Sequence, residues 1–141
     1  MDSVRAEKEV DIVTQPRTSC SQPARLRAAR AEQHRGLALS AASPEDRFCE
    51  AYRAARLSAA ALLPRSRPRR GARGVWQRLG SEVPGMEEWA AAFSGYSRLF
   101  AAVEDGLPRE VSQRMADDFL WAVDRFLDLV DDKLGLLGPA A

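Results

Sequence analysis

A chain of 141 residues, 45% apolar and 29% charged, suits one domain around one core and is too apolar to be disordered throughout. No apolar run approaches the ~20 residues that a bilayer-spanning helix needs, and residues 1–16 carry acids but no apolar signal region, so a cytoplasmic protein without a membrane partner is expected. The net charge of +1 conceals a split: residues 1–16 hold two basic and four acidic groups (−2), residues 17–78 fourteen arginines and four acids (+10), and residues 79–141 five basic and twelve acidic groups (−7).

Residues 1–22 show weak periodicity and read as a flexible tail closed by Ser19, Ser21, Gln22 and Pro23. The first helix is predicted from Pro23, which suits a first turn, to about Ala41. Its expected inner face is Leu26, Ala29, Gln33 and Leu37, with Arg25, Arg27, Arg30 and Arg35 around it. The second helix has a strong start. Ser43 can cap it, Pro44 fits the next position, and Glu45 and Asp46 complement the dipole. Phe48, Tyr52, Ala55, Ala59 and Leu62 fall on its apolar face, and Pro64 ends it.

Residues 65–74, RSRPRRGARG, read as a basic loop. A short helix from Val75 to about Ser81 presents Val75, Trp76 and Leu79. Pro84 and Gly85 then break the chain. The third main helix is predicted over Met86 to Val103, because Met86, Trp89, Phe93, Tyr96, Phe100 and Val103 step by three and four. Gly106 supplies its stop. The fourth spans about Pro108 to Leu134. Its stripe of Val111, Met115, Phe119, Val123, Phe126 and Val130 is widened by Leu120, Leu127 and Leu134, which implies burial on two sides. No strand alternation and no internal repeat occurs. The expected fold is all-α, an antiparallel up-and-down bundle of four main helices plus one short helix. It occupies residues 23–134, between tails of 1–22 and 135–141.

The order of segments carries a resemblance. "RFCEAYRAARLSAAALLP" is followed by "RSRPRRGARG", then "VWQRL", "MEEWAAAFSGYSRLFAAVEDGL" and "ADDFLWAVDRFLDLVDDKL". Over roughly residues 23–134 this resembles the small actinobacterial branch of the HEPN (higher eukaryotes and prokaryotes nucleotide-binding) superfamily. The nineteen arginines against two lysines fit the codon bias of a GC-rich genome. The resemblance implies a bundle of four or five helices, often dimeric. Many HEPN domains are metal-independent ribonucleases that use an Arg, four to six residues and a His on a late helix, completed across the dimer. Others lack that motif and serve as binding or regulatory modules.

This chain departs from the catalytic pattern, because its one histidine, His34, lies on the first helix. Arg27 precedes it with six residues between, a spacing that chance supplies readily in so arginine-rich a chain. Chemistry at the pair would need the imidazole as acid and base and the Arg as a phosphate clamp. The plainer reading of His34 is an exposed or half-buried polar residue.

Arg65, Arg67, Arg69, Arg70 and Arg73 of the basic loop can grip phosphates by bidentate contact, and Trp76 just after them can stack on a base. The plainer alternative is a solvated linker with Trp76 in the core. Asp117, Asp124, Asp128 and Asp131 line one face of the last helix. No second carboxylate helix or Glu-x-x-His pair accompanies them, so no metal is expected; the plain reading is a solvated acidic face, and a meeting with the arginine-rich half, within the monomer or across a dimer, is more plausible than a metal. Cys20 and Cys49 are too few for a zinc or disulfide framework and are expected as reduced thiols. There is no nucleophile elbow, P-loop or dinucleotide fingerprint, and no cofactor is implied.

The favoured function is a non-catalytic HEPN-like binding or regulatory module, expected as a homodimer. Its partner would be an RNA, a nucleotide or a protein, held through the basic loop. The alternatives are a metal-independent ribonuclease using Arg27 and His34, and a protein-interaction module with no nucleic-acid role.

Overall fold

The structure, a computed structural model, describes residues 20–64, 74–108 and 110–136. All regular structure among them is helical: α1 Gln22–Leu39, α2 Pro44–Leu62, α3 Val75–Glu82, α4 Glu87–Ser94, α5 Ser97–Glu104 and α6 Gln113–Leu134. The fold is all-α, as the periodicity requires.

Local chemistry sets most boundaries. The Ser21 side chain accepts from the Ala24 amide at the start of α1, and Ser43 accepts from Asp46 at the start of α2. Both helices carry proline in the first turn. Gly106 and Gly135 end α5 and α6 with positive φ. At each end the following amide reaches back five residues, Leu107 to Ala102 and Leu136 to Asp131. That bond pairs with the glycine amide's own to make a Schellman cap.

Three expectations are corrected. The predicted inner face of α1 points outward: Leu26, Ala29, Gln33 and Leu37 are all exposed. The buried stripe is Ala24, Ala28, Ala31 and Ala38, with half-buried Arg35 between the last two. It packs against α2, whose small residues Ala51, Ala54, Ser58 and Ala61 are also buried. Alanine on alanine lets the helix axes approach toward the short end of the ~8–10 Å range, which leucine would not permit.

The long third helix is two. Between α4 and α5 the chain turns at Gly95–Tyr96, where the Tyr96 amide bonds Phe93 with three-residue spacing. A Ser–Gly pair is a common site for such a break. The ring contacts show what the turn achieves. Trp89 lies against Phe126 and Phe93 against Phe119, so α4 runs opposite to α6. Tyr96 meets Phe48 and Phe100 stacks on Tyr52 at 4.3 Å, so α5 runs along α2.

The last helix begins at Gln113, not near Pro108. Ser112 is its cap, accepting from the Met115 amide at 3.0 Å. The breadth of its apolar stripe is used as expected. Ala116, Phe119, Leu120, Val123, Phe126, Leu127 and Val130 are buried, and α6 packs against both α1 and α2.

The core is a continuous aromatic cluster of Phe48, Tyr52, Trp76, Trp89, Phe93, Tyr96, Phe100, Phe119 and Phe126. None of the described helices is long and apolar enough to cross a membrane.

Candidate functional site

The short turn between α1 and α2 makes them an antiparallel hairpin. Residues counted back along α1 therefore meet residues counted forward along α2. His34 meets Glu50 in this way. Along this seam Arg30, His34, Arg53, Arg56, Leu57 and Ala60 line a cleft of about 410 Å³.

Each cation in the cleft has a different environment. The Glu50 carboxylate accepts from His34 Nδ1 at 2.6 Å, which leaves Nε2 as the ring nitrogen available to a ligand. Arg53 is committed within the protein. It donates to Glu50 and to Glu104 of α5, each at 2.5 Å, and this pairing holds its guanidinium firmly protonated. Arg30 and Arg56 have no carboxylate partner among the described residues. The Arg56 guanidinium lies over the rings of Tyr52 and Phe100, 5.7 and 5.1 Å from their centroids. Cation–π attraction there fixes the head group while leaving its N–H donors unspent.

Arg35 and Arg47, by contrast, are spent on the scaffold. Arg47 donates to Asp117 and to the Ala38 and Leu39 carbonyls, closing the C-terminus of α1. Arg35 bridges Glu32 and Asp124. Burial raises the Asp124 carboxyl above its ordinary value despite Arg35. Asp131 is raised by burial, with Glu32 and Asp128 adding repulsion. The charge split is thus partly cancelled by pairing between the halves. Among the described residues no cluster of His, Cys, Asp and Glu has the make-up to hold a metal.

Of the residues singled out from sequence, the structure brings His34 to the cleft but does not place Arg27 among its lining residues. Seven steps along the helix separate Arg27 from His34, roughly 10 Å along its axis. Arg30 is the arginine one turn from the imidazole. Trp76 is 6% exposed, donates its indole N–H to the Tyr52 hydroxyl at 2.9 Å and packs on Phe93 and Phe126. It has no free face to offer a base. Arg65, Arg67, Arg69, Arg70 and Arg73 lie outside the described residues. Cys49 is buried, and burial pushes its thiol up, away from the reactive thiolate.

Sequence reasoning missed Glu50, Arg53 and Arg56. Their one sequence signal is the three-residue step 50–53–56, which places all three on a single side of α2. A second, apolar groove of about 460 Å³ lies between α4 and α6, floored by Trp89, Phe93, Tyr96, Met115 and Phe119. Its rim charges, Arg114 and Asp118, pair with each other, so no free charge converges on it.

The HEPN_SAV_6107-like HEPN family model matches residues 38–131, about two thirds of the chain. The chain belongs to this HEPN family. No curated protein and no solved structure matches it. Within this HEPN chain the matched stretch contains Glu50, Arg53 and Arg56 but begins after Arg30 and His34. The cleft therefore straddles the start of the matched region. The helices α4, α5 and α6 contain no histidine.

Proposed function

We propose that this HEPN domain is a binding module for RNA and that the α1–α2 cleft is where it grips phosphate. The observation that carries this reading is the pair Arg30 and Arg56, two guanidiniums without carboxylate partners, on the walls of one cleft beside an imidazole backed by Glu50. Guanidinium forks match phosphate oxygens, and free cations adjoining a cavity are what phosphate recognition needs. The chain leaves α2 at Leu63–Pro64, the end of the hairpin where α1 begins with Arg25 and Arg27. The five arginines of the 65–74 segment follow immediately in sequence. These arginines are proposed as contacts to the remaining backbone.

Fluorescence anisotropy with a labelled single-stranded RNA, titrated with salt, tests the reading. Affinity should fall as salt rises, and Arg67→Ala/Arg69→Ala/Arg70→Ala should flatten the slope. An RNA that fails to bind at low salt would sink the proposal and leave a protein-interaction module.

One observation favours a second reading. The Glu50–His34 pair beside Arg30 has the parts of an acid–base site, so the same RNA should be incubated without metal and resolved on a gel. Cleavage lost in His34→Ala would make the protein a ribonuclease. Intact RNA would leave it a binder.

A homodimer is proposed on α1. Of the five exposed large hydrophobics among the described residues, Leu26, Leu37 and Leu39 lie on this helix. A two-fold axis midway along it would set Leu26 of one copy on Leu37 of the other, the self-complementary arrangement that a symmetric dimer needs. Leu26→Ser/Leu37→Ser should give a monomer by light scattering.

A further inference from the structure

We propose that His34 selects ribose over deoxyribose, by accepting a hydrogen bond from the 2′-hydroxyl of a nucleotide whose phosphate Arg30 and Arg56 hold. This rests on the reading that the α1–α2 cleft grips a nucleic-acid backbone, and concerns how the cleft tells RNA from DNA.

The Glu50 carboxylate sets which ring nitrogen carries hydrogen. Its Oε1 accepts from Arg53, and its Oε2 lies 2.6 Å from His34 Nδ1. A carboxylate engaged by a guanidinium only accepts, so the hydrogen of the neutral imidazole sits on Nδ1 and Nε2 keeps its lone pair. His34 therefore brings an acceptor to a cleft whose other polar side chains, Arg30, Arg53 and Arg56, can only donate.

That combination narrows the ligand. Arg30 and Arg56, without carboxylate partners among the described residues, suit an anion. A phosphodiester oxygen has no hydrogen to give Nε2, so the acceptor calls for a donor beside the anion. Within a strand the DNA backbone has none. The RNA backbone has one, the 2′-hydroxyl.

Position favours the sugar over a base. Arg30 and His34 are four residues apart on α1, which sets their Cβ atoms about 5–6 Å from each other. A phosphate held by Arg30 brings its adjoining sugar within reach of the imidazole, whereas a base lies a full sugar's width beyond. Leu57 and Ala60 add apolar lining suited to ribose carbons. The His34 side chain is 26% exposed, so the ring can be reached, and Glu50 orients it before any ligand arrives.

The experiment measures anisotropy of the full chain with short single strands of RNA, uracil-containing DNA and 2′-fluoro RNA, each in an all-adenine and an all-uracil sequence. It is run at pH 8, above the ordinary imidazole range. RNA should bind about three- to ten-fold more tightly than DNA in both sequences, the worth of one neutral hydrogen bond. The 2′-fluoro strand, which keeps a ribose-like sugar shape but cannot donate, should bind as DNA does. His34→Phe should bring RNA down to the affinity of DNA. Glu50→Gln, which no longer fixes the hydrogen on Nδ1, should narrow the RNA-to-DNA ratio. Arg30→Gln/Arg56→Gln should weaken RNA and DNA together, because the two share the phosphate.

Equal binding of RNA and DNA by the parent chain overturns the role of His34 while the phosphate-gripping reading stands. A preference that 2′-fluoro RNA retains, or that survives in a folded His34→Phe variant, overturns it as well. A preference confined to one sequence assigns the donor to a base and overturns the assignment to the sugar. Failure of every strand to bind overturns both readings.

Discussion

The two seams of α1 use the same residue type to opposite ends. Toward α6, Arg35 of α1 and Arg47 of α2 meet Asp124 and Asp117, and burial raises the Asp124 carboxyl. Toward α2, Arg30 and Arg56 lack carboxylates and border a cavity. The arginines themselves do not separate the seams, since all four belong to the +10 region of the chain. What separates them is the neighbour: α6 brings acids to one seam, whereas α2 brings to the other a Glu50 already engaged by His34 and Arg53. An arginine excess becomes a site only where the opposing surface leaves it unneutralised.

Substitutions on each seam should sharpen this contrast. The largest effect on stability should come from Arg47→Ala. It removes the bonds to the Ala38 and Leu39 carbonyls and the pair with Asp117, and should cost about 1–2 kcal/mol in denaturant unfolding. RNA affinity should not change. If affinity fell as it does for the Arg30/Arg56 pair, the division between scaffold and cleft arginines would be wrong.

Trp76→Phe should cost about 1 kcal/mol through loss of the bond to Tyr52. It too should leave RNA affinity unchanged, and a weakened affinity with an intact cleft would return Trp76 to the interface.

The smallest effect should come from Asp131→Asn. Burial raises the Asp131 carboxyl, so the folded state holds its proton to higher pH than the unfolded state does. Stability contributed there is present at pH below the ordinary carboxylate value and is lost as pH rises through the folded value. The Asn variant should melt slightly higher than the parent at neutral pH, and the difference should vanish in acid. A parent that melts higher at neutral pH would show that Asp131 gains a partner.

Much of the fold was legible before any coordinates. Ser43, Pro44, Glu45 and Asp46 fixed the start of α2 because capping is local chemistry. Gly106 ended α5 for the same reason, since a left-handed cap needs a residue without a Cβ. The aromatic stripe from Met86 to Val103 is the core, as its spacing implied, although the chain turns sharply within it. That turn was hidden because three- and four-residue steps continue across Ser94 and Gly95 whether or not the axis does. The face of α1 was misread because apolar residues surround that helix. Leucine outweighs alanine on any hydrophobic scale, yet the small surface of α2 admits only the alanines.

The cleft was the least legible part. His34 was noticed, but paired with Arg27 by a spacing along one helix. Its neighbours Glu50, Arg53 and Arg56 stand sixteen or more residues away on another. By itself the sequence determined what depends on near neighbours: helical type, caps, the aromatic core and the unequal charge of the two halves. The tertiary structure decided which face of α1 is buried, where the aromatic stripe folds over, and which arginines keep their charge unopposed. Those outcomes depend on the size and charge of surfaces that meet only when the helices pack, and no local pattern encodes them.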